Sequence, residues 1–124
     1  ASWGIGEIPD LPRFAAWLDQ CGLDFVLLLP VNEMADGQNS PYSAMSAMAI
    51  DPIYIRVPDV PQFAAGGGEA SLSLEDRDRL AHARAAPNVE YAAVRAVKHH
   101  ALCATYDRFL EYEWSKDTAH AASF

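Results

Sequence analysis

Apolar positions along the chain follow two different periods. After Asp10, residues Leu11, Phe14, Ala15, Trp17, Leu18 and Cys21 recur at helical spacing, with Pro12 in the first turn, where it is tolerated. Gly22 stops that helix. Phe25 to Val31 is then continuously apolar, the pattern of a parallel strand buried on both faces. Ile53 to Val57 is β-branched and aromatic, and reads as a strand or extended segment. Ser73-x-x-Asp76 resembles a capping box with Asp in its last position, and opens a polar helix over Leu74 to Ala86. Pro87-Asn88 ends it. Tyr91, Val94, Val97, Ala101, Leu102, Thr105, Phe109 and Tyr112 then predict one long helix from Val89 to about Ala121.

Helix, short turn and buried strand make the αβ half of a β/α repeat. The loop that follows, Val31 to Ile50, is long and rich in Asn, Gly, Ser and small residues, with room for a short helix over Ser43 to Ala49. Long loops inside compact domains are usually functional or disordered. Pro58-Asp59-Val60-Pro61 predicts a turn or helix start, and Ala65 to Gly68 a flexible link. One core strand cannot form a sheet by itself. The pattern therefore fits α/β architecture better as the first part of a larger fold than as a complete small unit. Residues 1–57 carry the early β/α units and 58–124 a mainly helical segment. The first residue is Ala1 and the chain begins mid-pattern, so a piece of a longer protein is expected.

Composition narrows the partners. The 124 residues are 51% hydrophobic and 21% charged, which suits a globular core rather than disorder. The formal charge of −8 argues against nucleic acid, whose phosphates need clustered Lys and Arg. No run approaches the roughly 20 apolar residues of a membrane span. Cys21 and Cys103 are isolated and predict free buried thiols in a reducing cytoplasm. Gly4-Ile5-Gly6 lacks the preceding strand and third glycine of a dinucleotide site. His99 and Cys103 share a helix face, but no carboxylate or further His completes a metal set around them and His100, so neither metal nor cofactor is expected. His82 and His120 read as lone surface residues. Glu75, Asp76 and Asp78, interleaved with Arg77 and Arg79, read as a solvated helix face.

The most specific stretch is Ser40-Pro41-Tyr42-x-x-x-Ser46-Ala47-x-Ala49-x-Asp51-Pro52-x-x-Ile55. It resembles the Ser-Pro-Tyr block of the 4-α-glucanotransferases, the amylomaltases or disproportionating enzymes. Gly4-Ile5-Gly6 is similar to that family's early loop. Phe14-x-x-Trp17-Leu18-x-x-x-Gly22 is similar to its first helix, which leads into a strand ending in Leu29-Pro30. Val89-x-Tyr91-x-x-Val94-x-x-x-Lys98 weakly resembles a later Lys-bearing helix, with Glu90 in place of Asp. The pattern is also departed from elsewhere: Val31-Asn32-Glu33-Met34 follows Leu29-Pro30 where many members have Leu-x-Pro-[Ser/Thr], and Asp51 stands where Asn is usual.

The resemblance implies the N-terminal portion of a (β/α)8 barrel, with a helical insertion, carrying its sugar loop after a strand end. It implies a retaining transfer of α-1,4-glucan segments between maltodextrins. That chemistry needs two carboxyl groups about 5 Å apart. No motif in this chain matches the family's catalytic carboxylates, so none is assigned, and the remainder of the barrel is the implied partner. Tyr42 is the main substrate-binding candidate, its ring against a glucose face or, alternatively, packed over the barrel mouth. Asn39, Ser40 and Ser46 either bond sugar hydroxyls or satisfy turn backbone. Trp3 either contacts sugar or sits in the core. Asp51 is expected to fix its loop by Asx-type bonds, and Glu33 to be solvated. The rival readings are a non-catalytic carbohydrate-binding or interaction module, and an α-glucan hydrolase of the same clan.

Overall fold

The computed structural model describes residues 2–35, 37–38 and 40–123. A 3-10 turn, Ile8–Asp10, runs into helix α1 (Leu11–Gln20), and Gly22 ends it at a φ of +74°. An irregular stretch leads to 3-10 turns at Pro52–Tyr54 and Val57–Asp59. Then come α2 (Pro61–Ala65), a turn at Gly68–Ser71, α3 (Leu74–Ala85) and α4 (Tyr91–Tyr112). Short turns at Trp114–Lys116 and Ala121–Ser123 close the chain.

The core lies where α2 and α3 pack on α4. Along α4 the buried positions are Val94, Val97, Lys98, Ala101 and Thr105, a stripe at helical spacing. Val97 and Ala101 join Trp3, Val57, Phe63, Leu72 and Leu80. Val94 joins Ile5, Ile53 and Ala83. Trp3 meets Phe63 edge to face, ring centres 5.6 Å apart. Residues from both ends of the sequence thus share one interior.

Of the capping box predicted for α3, the N-cap half forms, and Asp76 bonds the Ser73 hydroxyl rather than its amide. Ser73 Oγ accepts from the Asp76 amide at 3.0 Å and donates to the Asp76 carboxylate at 2.9 Å. Ser73→Ala is expected to cost about 1 kcal/mol, read as a lowered Tm. α4 ends sooner than the expected Ala121: Asp117 adopts a left-handed conformation (φ +49°) that closes the turn after it.

Three expectations need correction. First, no strand ladder forms among the described residues; the only pairings there are isolated bridges between Asn32 and Ile50 and between Met34 and Ala44. Phe25 to Val31 is irregular and open, with Phe25 86% and Leu27 89% exposed. The described residues therefore show helices and turns, without the strands expected among them. A strand needs neighbours to pair its backbone along its length, and among the described residues only Val31, at the end of this run, is bonded across, to Asp51. Second, Ile53 to Val57 is two 3-10 turns, each set by a proline at its start, and Ser43 to Ala49 is bends rather than a helix. Third, both cysteines are free but exposed rather than buried. Of α1 only Leu18 is buried; Phe14 and Trp17 stack on each other in the open.

Candidate functional site

The segment 31–51 folds back on itself. The Asp51 amide donates to the Val31 carbonyl at 2.9 Å and the Glu33 amide to the Ala49 carbonyl at 3.0 Å. Farther out, the Met45 amide donates to Glu33 and the Ala35 amide to Ser43. Asn32 Nδ2 donates to the carbonyls of Ala47 and Ala49, tying the returning arm to the outgoing one. These rungs leave a turn at the tip, where the Ser43 amide donates to the Ser40 carbonyl at 2.9 Å.

Tyr42 sits in that turn with 76% of its surface open. Ser40 is exposed beside it, and Ser46 is half-buried on the return, its Oγ accepting from the Met48 amide at 3.1 Å. Asn39 lies outside the described residues. Tyr42, Ser40 and Ser46 therefore share one loop. Trp3 does not join them: it is 1% exposed in the core, and its Nε1 donates to Glu69 at 3.0 Å. Arg84 grips the same Glu69 with two bonds, so the carboxyl stays well below its usual range, with desolvation opposing.

The base of the loop is anchored by charge. Asp51 is fully buried and its carboxylate accepts four bonds. They come from the Ile53 amide (3.0 Å), the Met34 amide (3.3 Å) and both terminal nitrogens of Arg95 (2.9 and 2.8 Å). Burial alone would raise its pKa, but Arg95 and the two amides outweigh this and hold it low. The Asx bond expected of Asp51 is thus present, and it makes Asp51 a structural anion with no free lone pair facing solvent. Glu33 is half-buried and contributes its backbone to the bonds that join the two arms.

One helical turn along α4, Lys98 is 1% exposed. Its Nζ donates to Glu7 Oε1 at 2.8 Å and to the carbonyls of Ile53 and Ile55, both at 2.7 Å. Burial pushes the Lys98 pKa down while Glu7 pulls it up. Glu7 Oε2 also accepts from Arg56 Nε at 3.0 Å, and Arg56 reaches on to Asp10. Sequence reasoning missed Arg95 and Lys98 as anchors. One signal was available: Lys98 falls on the apolar stripe of α4, where a cation requires a buried partner.

Elsewhere, His100 Nδ1 lies 3.0 Å from Asp76, which is therefore more than a solvated surface acid. His120 meets Gln62 at 3.1 Å and packs edge-on to Phe109. His99 lies 3.6 Å from Cys103 Sγ. No helix among the described residues is long and apolar enough to cross a membrane.

The sequence profile of the 4-alpha-glucanotransferases matches residues 1–124, the whole chain. The chain belongs to the 4-alpha-glucanotransferase family. Individual members are similar at about the level this implies. A 4-alpha-glucanotransferase of Chlamydia caviae is 31% identical over 97 residues, covering 78% of this chain and 17% of that protein. One from Chlamydia trachomatis is 29% identical over 111 residues, covering 90% of this chain and 19% of the relative. One from Haemophilus influenzae is 28% identical over 113 residues, covering 87% and 16%. The chain thus spans less than a fifth of the length of these 4-alpha-glucanotransferases. The resemblance read from the Ser-Pro-Tyr block is borne out at the level of the family.

Proposed function

We propose that the protein carrying this chain is a 4-alpha-glucanotransferase. It moves α-1,4-glucan segments between maltodextrins through a covalent glycosyl-enzyme, a sugar hydroxyl taking the glucan in the second step. This chain supplies one wall of the donor site, and the catalytic carboxylates belong to other parts of the barrel. The observation that carries the reading is an open tyrosine ring, Tyr42, held at the tip of a buttressed loop within the block that resembles the family's sugar site. Tyr42 stacks on a glucose face, and Ser40, Asn39 and Ser46 reach its hydroxyls.

The same reading covers the fold. Phe25 to Leu29 and the Phe14–Trp17 face of α1 are apolar and open, the surface expected of early β/α units of a (β/α)8 barrel whose neighbouring strands and helices cover them. Residues 58–124 form the helical insertion packed against residues 1–57. Two exposed, unpaired thiols fit a reducing cytoplasm.

The test is disproportionation of maltotriose by the complete protein, products separated by size. Wild type is expected to yield a ladder of longer maltodextrins. Tyr42→Ala should lower kcat/KM about tenfold, the equivalent of one lost stacking contact of about 1.4 kcal/mol, with Tm unchanged. Glucose without longer products would make the enzyme a hydrolase. An undiminished ladder from Tyr42→Ala would place that ring outside the site.

A further inference from the structure

We propose that Asp51 and Arg95 are positioning residues, a two-pronged clamp by which α4 sets the place of the Tyr42 loop. The inference rests on the reading of that loop as a sugar site and deepens it.

Among the described residues of 31–51, only Met34 and Asp51 are buried. The other described residues of the loop are half-buried or exposed, so its position relative to the helices is set chiefly at its base. There Arg95 offers two parallel N–H donors to the two oxygens of Asp51, a fork that fixes orientation as well as distance. The carboxylate in turn holds the Met34 amide on the outgoing arm and the Ile53 amide beyond the returning one. From Met34 the path to the tip is short and continuous: Met34 is bridged to Ala44, and Ala35 bonds Ser43, the residue after Tyr42. An unbroken series of bonds therefore runs from α4 to the backbone beside the ring. Where the loop resembles a pattern with Asn, this chain carries a buried carboxylate, and a buried carboxylate needs a cation close by.

The experiment uses the complete protein with Arg95→Met, Asp51→Asn and the double variant, alongside Tyr42→Ala. Amide hydrogen exchange of 33–51 and of α3 and α4 is measured together with maltotriose KM and kcat. Arg95→Met is expected to speed exchange across 33–49 about tenfold while α3 and α4 keep their protection. KM should rise about fivefold with kcat within about twofold of wild type, the pattern of a misplaced binding group. Adding Asp51→Asn removes the unpaired charge and should restore at least about half of the lost protection. Unchanged exchange in Arg95→Met overturns the clamp, whatever Tyr42→Ala does. A double variant no better than Arg95→Met overturns the pair as its cause. Faster exchange with KM unmoved overturns the positioning role. In that case an active Tyr42→Ala shows that the sugar-site reading failed, and an impaired one shows that the clamp alone did. If Arg95→Met does not fold, Arg95→Lys, which keeps the charge and loses the fork, is read on the same scales.

Discussion

Replacing Lys98 by Met is expected to destabilise the protein by about 3–5 kcal/mol, the cost of breaking a buried ion pair from one side. Met keeps most of the length of the apolar stem, so little packing is lost. What disappears is the ammonium, whose three donors are all in use on Glu7 and on the carbonyls of Ile53 and Ile55. Glu7, 4% exposed, would keep Arg56 on one oxygen and lose its partner on the other. The buried Ile53 carbonyl and the partly buried Ile55 carbonyl would lose a donor as well, at about 1–3 kcal/mol for a buried one left unsatisfied. Thermal unfolding of the complete protein measures the loss. Glu7→Gln in the same chain should recover part of it, since a neutral amide no longer needs the ammonium. A change in stability below about 1 kcal/mol would mean that Arg56 and water satisfy these groups without Lys98.

Gly4→Ala is expected to cost about 2–4 kcal/mol, from two sources that add. The backbone at Gly4 has φ +85°, which strains a residue bearing a Cβ by about 1–2 kcal/mol. The new Cβ would also lie 2.9 Å from the Ala83 carbonyl oxygen and 3.1 Å from the Ala83 Cβ. That carbonyl belongs to α3 and cannot swing aside as a side chain would. Gly6 is the internal control: a Cβ there meets nothing within 4 Å and its φ is not positive, so Gly6→Ala should stay within about 1 kcal/mol of wild type. Equal losses at the two glycines would show that Trp3 and Ile5 do not fix the N-terminal stretch against α3. Two positions apart, the glycines have different reasons to be glycine: Gly4 for contact and conformation, Gly6 for neither.

Local signals were read well where local physics decides the outcome. Ser73 and Asp76 announced the start of α3, the 94–97–101–105 spacing announced the inner face of α4, and Gly22 announced the end of α1. Phe25 to Val31 was harder, because its apolar run describes what a strand becomes when other strands flank it, and those partners are not local. Ile53 to Val57 misled for a different reason. Its residue types suit a strand, but Pro52 and Pro58 fix φ at two turn starts and remove two ladder donors. At the site, the motif located Tyr42, Ser40 and Ser46 but not what holds them. Asp51 was legible as a loop anchor from its place before Pro52. Arg95 was not, since a 44-residue separation in sequence hides a contact of 2.8 Å. Trp3 was left between two roles because an aromatic residue near a Gly-rich loop suits either, and only Phe63 and Glu69 decide where the indole lies.

The open segment from Phe25 to Leu29 has a consequence in time as well as in space. On the ribosome these residues emerge, at roughly 5–20 residues per second, ahead of any later elements that cover them on the barrel reading. Until those arrive, the nascent chain displays a short, uncharged, β-prone ribbon, the kind of sequence that holdase chaperones bind and that aggregates pair through. The order of synthesis thus gives the protein a vulnerable interval, and its yield in the cell depends on how quickly translation ends it.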